Sequence, residues 1–190
     1  MSAEFYLAIT SLLENECGER PLLAVGGGFS DRSDDIGRGT VYGLSAVIRA
    51  REGFTPTDFG IKDFTDDELK KTTIEAAKAM WQRVWNRYNY GLLQHQDCAT
   101  KLFDAAANIN PYFAARAAQQ ACCALGAVID VDGIFGVHTA IAIDGEDPQL
   151  WLQAMCSAQL QRYKDIVAER PDQRWNYDHL WVYRAAWTPK

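Results

Sequence analysis

The chain has 190 residues, with 19 lysines and arginines against 25 aspartates and glutamates, so its formal net charge is −6, and 48% of it is hydrophobic. A chain of this size buries a core without disulfide or metal staples, and its composition excludes disorder, collagen and low complexity. The acidic balance leaves no basic footprint for nucleic acid, and no apolar run reaches the roughly 18 residues of a membrane span.

The opening Met1-Ser2-Ala3-Glu4 lacks the basic and then apolar start of a secretory signal, so synthesis in the cytoplasm without membrane insertion is expected. From Glu4 onward Phe5, Leu7, Ala8, Ile9, Leu12 and Leu13 recur at helical spacing, which predicts a first helix ending near Glu16, before Gly18. Between Gly26 and Gly43 stand six glycines with Ser30, Asp31, Ser33, Asp34 and Asp35, a loop with room for a small β-hairpin at Gly39 to Leu44. The Gly26-Gly27-Gly28 run lacks the Lys-Ser/Thr that a phosphate cradle needs.

Thr65-Asp66-Asp67-Glu68 has the form of a helix start, and Leu69, Ile74, Ala77, Met80, Trp81, Val84 and Trp85 continue it as one amphipathic helix over about 66–88. The two tryptophans, one turn apart, fit a core better than a sugar platform. Two Ala-rich helices follow, Cys98 to Ala107 and Tyr112 to Leu125, parted by Asn108-Ile109-Asn110-Pro111. After a turn at Asp130-Val131-Asp132-Gly133 come a short helix at about Val137–Ile143 and a stronger one from Pro148 to about Glu169, stopped by Pro171. The aromatic tail from Trp175 to Arg184 is expected to dock on the body. The class is mainly α.

Cys17, Cys98, Cys122, Cys123 and Cys156 lack C-x-x-C spacing and read as buried or free thiols, while His95, His138 and His179 stand isolated. No metal and no cofactor is expected. Carboxylates gather instead at the end of the first helix, in Glu14, Glu16 and Glu19, where the negative end of the helix dipole favours a retained proton. The loop from Ser33 to Gly43 supplies a second carboxylate, hydroxyls and a guanidinium. Two facing carboxyls, one protonated and one ionised, are the minimal machinery for cleaving a glycosidic bond, but a solvated helix end and an ordinary surface turn have the same residues.

The helix from Phe5 through Leu13 into Glu16-Cys17-Gly18, followed by Asp35-Ile36-Gly37-Arg38-Gly39-Thr40-Val41-Tyr42-Gly43-Leu44-Ser45, resembles the start of glycoside hydrolase family 108. That family of peptidoglycan muramidases carries a Phe-led helix ending in Glu-Gly-Gly-Tyr and then Asp-Pro-Gly-Gly-x-Thr-x-Tyr-Gly-Ile-Thr. Leu102 to Asn108 is similar to its Phe-Asp-x-x-Val-Asn segment, and Asp132-Gly133-Ile134-Phe135-Gly136-Val137-His138-Thr139 to its Asp-Gly-x-x-Gly-Pro-x-Thr turn. Trp181-Val182-Tyr183-Arg184 is similar to its Trp-Leu-x-Arg ending.

The resemblance implies a lysozyme-like helical domain with a small β-hairpin: a catalytic lobe at 1–110 and a peptidoglycan-binding-like helical lobe at 111–190, packed as one unit. It implies Glu16 as general acid, Asp35 and Thr40 as its catalytic partners, and Tyr42 and Asn108 as substrate contacts. The polymer would be the glycan strand of peptidoglycan, cut between N-acetylmuramic acid and N-acetylglucosamine in the periplasm or cell wall. Delivery would need a holin, host lysis or a secretion machinery, as for a phage endolysin or an injected effector with an immunity protein. About ten residues separate Glu16 from the loop relative to the family, and Val25-Gly26-Gly27-Gly28-Phe29 aligns with Glu-Gly-Gly-Tyr without a gap. In that register Gly26 takes the acid's place and the protein is a degenerate relative that binds peptidoglycan or a protein partner. The spacing from Phe5 to Glu16 favours Glu16.

Overall fold

The computed structural model describes residues 2–17, 26–30 and 39–189. These form two compact units, Ile9–Arg87 on one hand and Met1–Ala8 with Tyr88–Lys190 on the other. Both are mainly helical.

In the unit Ile9–Arg87, helix α1 (Phe5–Cys17) ends within a residue of the expected position, and its Ile9, Leu12 and Leu13 are buried. The expected hairpin is replaced, among the described residues, by two isolated antiparallel bridges, Ser30 to Thr40 and Val41 to Leu44. The ladder stops there because Ser45 turns the chain at once into α2 (Ala46–Glu52), its side chain accepting the Ile48 N–H, so no second strand residue follows Leu44. Gly53, in the left-handed region at φ 70°, closes α2.

The single helix expected over 66–88 is two, α3 (Asp66–Leu69) and α4 (Ile74–Arg87). Thr73 is the reason: its hydroxyl accepts the Ala76 N–H as the cap of a new helix, and the Thr72 carbonyl is taken by the N–H of Gly26 at 2.8 Å. Helix α4 buries Ala77, Met80, Trp81, Val84 and Trp85, so both tryptophans are core.

In the other unit, α5 (Gln96–Ile109) and α6 (Pro111–Ala124) are parted by Asn110, whose side chain accepts the Tyr112 N–H and whose φ of 81° turns the chain. Proline at the first position of α6 sacrifices no helical bond. Alanines on both helices are buried, and small side chains let helices approach closely. Helix α7 (Val137–Asp144) precedes α8 (Pro148–Glu169), which Asp147 caps through the N–H groups of Gln149 and Leu150.

The tail does dock, as α9 (Arg174–Asn176), a π-helical turn at Tyr177–Trp181, and α10 (Val182–Ala186). Trp181 stacks on Tyr163 with ring centroids 5.0 Å apart. Two ionic groups of α5 hold its end. Asp104, fully buried, takes the Arg184 guanidinium through both oxygens at 2.9 and 3.2 Å. Lys101, fully buried too and with its pKa lowered by desolvation, donates to the carbonyls of Arg184, Ala185 and Trp187, the acceptors that a helix C-terminus leaves open. Asp104→Ala removes the buried carboxylate that accepts both Arg184 bonds and is expected to cost about 2–3 kcal/mol. Thermal melts and limited proteolysis check this, the cut falling first at residues 170–189.

Candidate active site

Glu16 sits in the last turn of α1, half-buried. The loop around it is built from close backbone approaches. The Gly27 carbonyl accepts the Tyr42 N–H at 2.9 Å, and Ser30 and Thr40 exchange both backbone bonds at 3.0 Å. Between the paired residues Val41 and Leu44, Tyr42 and Gly43 both have positive φ, 48° and 77°. Such a turn matches the twist of antiparallel chain, but a tyrosine there carries strain of about 1–3 kcal/mol. Two contacts enforce it: the Tyr42 carbonyl accepts the Trp81 Nε1–H at 2.9 Å, and the Tyr42 ring lies so close to Gly27 that a Cβ there would overlap it.

Gly43 is where loop and helix end meet. A Cβ on Gly43 would lie 2.7 Å from Cγ, 3.0 Å from Cδ and 3.2 Å from Oε2 of Glu16. The carboxyl therefore lies directly against the turn, in space that only glycine leaves open. Gly26, the rival position for the acid, has φ 66°, and a Cβ there would stand 2.6 Å from the Lys70 carbonyl oxygen. No acidic side chain fits that backbone.

Arg49 of α2 fixes the loop from below. It is only 4% exposed, and its Nη1 donates to the carbonyls of Gly39 at 2.8 Å and Leu44 at 2.6 Å, clasping both ends of the turn. Its guanidinium lies 4.6 Å from the centre of the Phe64 ring, and burial lowers its pKa from the ordinary arginine value. Beside it a cavity of about 540 Å³ opens between Gly39, Arg49, Phe54, Phe64 and Asp66. Neither Arg49 nor Asp66 stands out in the sequence, because what gives them a role is their position beside the loop.

The structure thus brings Glu16 and the Thr40-to-Gly43 turn into one unit. Asp35 lies outside the described residues, as do Glu19, Ser33 and Asp34. Tyr42 is fully buried, so its ring offers no surface to a substrate and instead shapes the turn, a correction whose cause is the close seat under Gly27. Asn108 is on α5 in the other unit, exposed, with its Oδ1 accepting the Tyr163 hydroxyl. The residue that caps the next helix is Asn110.

Among the described residues no group of three or more His, Cys, Asp or Glu is placed to hold a metal, and no helix is long and apolar enough to cross a membrane. Cys98 and Cys122 are buried, which pushes their thiols up to about 12 and about 11, whereas Cys123 is exposed. Alkylation of the folded protein followed by peptide mass spectrometry is expected to modify Cys123 and spare Cys98 and Cys122.

Other segments that look family-specific are structural. Asp104 and Arg184 are the ion pair described above. Gln119, 2% exposed, accepts the Gly133 N–H and donates to Asp132 Oδ1, the Ile134 carbonyl and Thr139 Oγ1, holding the Asp132-to-Thr139 turn. The Ile134 N–H and the Gln119 amide keep the Asp132 carboxyl below its usual pKa.

Fold and loop together define a mainly helical protein of the lysozyme-like kind. The chain is similar to glycoside hydrolase family 108: the model of Glycosyl hydrolase 108 matches residues 20–109, and that of the Predicted Peptidoglycan domain matches residues 113–186. Both descriptions support a lysozyme-type function on peptidoglycan. Among solved structures the chain is similar to Brucella abortus SagA, at 21% identity and a TM-score of 0.65 over 96% of this chain and 94% of that one, a likeness of fold. No curated protein matches the chain.

Proposed function

We propose that the protein is an N-acetylmuramidase that hydrolyses the β-1,4 bond between N-acetylmuramic acid and N-acetylglucosamine. The observation that carries this reading is the Glu16 carboxyl lying against the Gly43 turn. Protonated Glu16 donates its proton to the glycosidic oxygen as the bond to the anomeric carbon breaks, so the leaving sugar departs as an alcohol. Asp35, ionised, shields the oxocarbenium-like centre or activates water, and Thr40 holds that water. The separation of the two carboxyls decides between retention and inversion. Tyr42 acts as a positioning residue through its backbone.

Residues 1–110 cut the polymer in this reading and 111–190 hold it. The enzyme reaches the wall after host lysis or holin action, or by injection as an antibacterial effector.

One observation favours a second reading. The match to the hydrolase family begins at residue 20, beyond Glu16, so the ungapped register with Gly26 in the acid's place describes a protein that holds glycan without cutting it. The backbone of Gly26 argues for the enzyme, since an acidic side chain there would overlap the Lys70 carbonyl, whereas the Glu16 carboxyl has its own seat against Gly43. Purified walls separate the two. Wild type clearing a suspension while Glu16→Gln does not supports the muramidase; failure of both to clear, with both sedimenting on walls, supports the binder.

A further inference from the structure

Outside the loop site, the described residues contain a second concave surface, entirely within the unit that includes α6 and α8. It is a groove of about 350 Å³ between those two helices. Ala117 and Ala158 line it where larger side chains would close the gap, and Phe113 and Arg162 line it from the two helices. The Arg162 guanidinium lies over the Phe113 ring, 3.7 Å from its centre. Its Nε is buried with no hydrogen-bond acceptor, and its salt-bridge contact is a long one, 3.9 Å to exposed Glu169.

Arg116 adds a second guanidinium, steadied by the Val131 carbonyl at 2.9 Å and by the Tyr112 ring. Asp165 is the one carboxylate of the lining, one of its oxygens held by the Gln161 amide at 2.8 Å. Two guanidinia against one carboxylate make this a cationic groove on a chain of net charge −6. A buried donor with no acceptor is costly unless a ligand supplies one, and an arginine stacked on an aromatic ring is held ready to do so.

We propose that this groove binds the peptide stem of peptidoglycan: stem carboxylates lie between Arg116 and Arg162, small side chains fill the space over Ala117 and Ala158, and an amino group of the stem meets Asp165. A bare sugar offers neither charge, so the groove selects for peptide-bearing strands. The inference rests on the peptidoglycan reading, but not on cleavage.

Calorimetry with full-length Glu16→Gln protein tests it, with N-acetylmuramyl tetrapeptide as the probe and a peptide-free N-acetylglucosamine tetramer as the comparison. The tetrapeptide is expected to bind with the sugar showing no heat at the same concentrations. Arg162→Gln and the groove-filling Ala158→Leu are each expected to weaken it by about tenfold or more. NMR of the protein with its groove unsubstituted gives a readout free of folding defects: the tetrapeptide is expected to shift the methyl signals of Ala117 and Ala158. No tetrapeptide binding, equal binding of the bare tetramer, or unmoved alanine methyls would each overturn the proposal. Clearing of walls by Glu16→Gln would instead overturn the proposed reaction and leave the groove untouched.

Discussion

Glu16→Gln is expected to lower the rate of wall clearing by about a thousandfold or more while leaving the melting temperature within a degree or two of wild type. The amide keeps the shape of the carboxyl beside Gly43 and removes the transferable proton, and general acid catalysis of a poor alkoxide leaving group contributes about two to four orders of magnitude. Glu16→Asp separates proton from position. It keeps the acid but withdraws it by a methylene from the turn, and it is expected to retain part of the activity lost in the glutamine variant. Initial rates of turbidity loss on purified walls, with each variant's melting curve, give both numbers.

Gly43→Ala is the second large effect, and Gly53→Ala is its internal control. Both glycines have positive φ, 77° and 70°, so either alanine bears the left-handed penalty of about 1 kcal/mol. A Cβ at Gly53 meets nothing within 4 Å, whereas a Cβ at Gly43 comes within 2.7 Å of Glu16 Cγ. Gly43→Ala should therefore lose at least as much stability as Gly53→Ala. Only Gly43→Ala displaces the carboxyl, and misplacing a catalytic group by about an ångström costs on the order of a hundredfold in rate. Equal activities for the two variants would mean that the position of Glu16 against the turn has no bearing on catalysis.

The helices most legible in the sequence are those with chemical punctuation. Pro148 and Pro171 bracket α8, and Asn110-Pro111 divides α5 from α6. Where stop and start are carried by one side chain, reading by periodicity fails. Leu69 and Ile74 keep helical phase across the break, so only the Thr73 hydroxyl bonding the Ala76 N–H shows that a new helix begins. Helix α2 escapes notice for a related reason, since it turns Arg49 and Glu52 inward and so has no clean apolar stripe.

The site divides in the same way. Glu16 is singled out in the sequence by its spacing from Phe5, and in the structure its carboxyl lies against Gly43. Tyr42 reads as a substrate contact from its motif, but its positive φ and its seat under Gly27 are set by partners distant in the chain, namely Gly27 and Trp81. Arg49 is invisible for the same reason: its acceptors are two backbone carbonyls, which no side-chain pattern reveals.

The most direct measurement of the central claim is mass spectrometry of the fragments released from purified peptidoglycan, with their new reducing ends tagged by borohydride. Wild type is expected to release fragments ending in reduced N-acetylmuramic acid, and Glu16→Gln none. Fragments ending in reduced N-acetylglucosamine, free stem peptides without new sugar ends, or an undiminished yield from Glu16→Gln would contradict it.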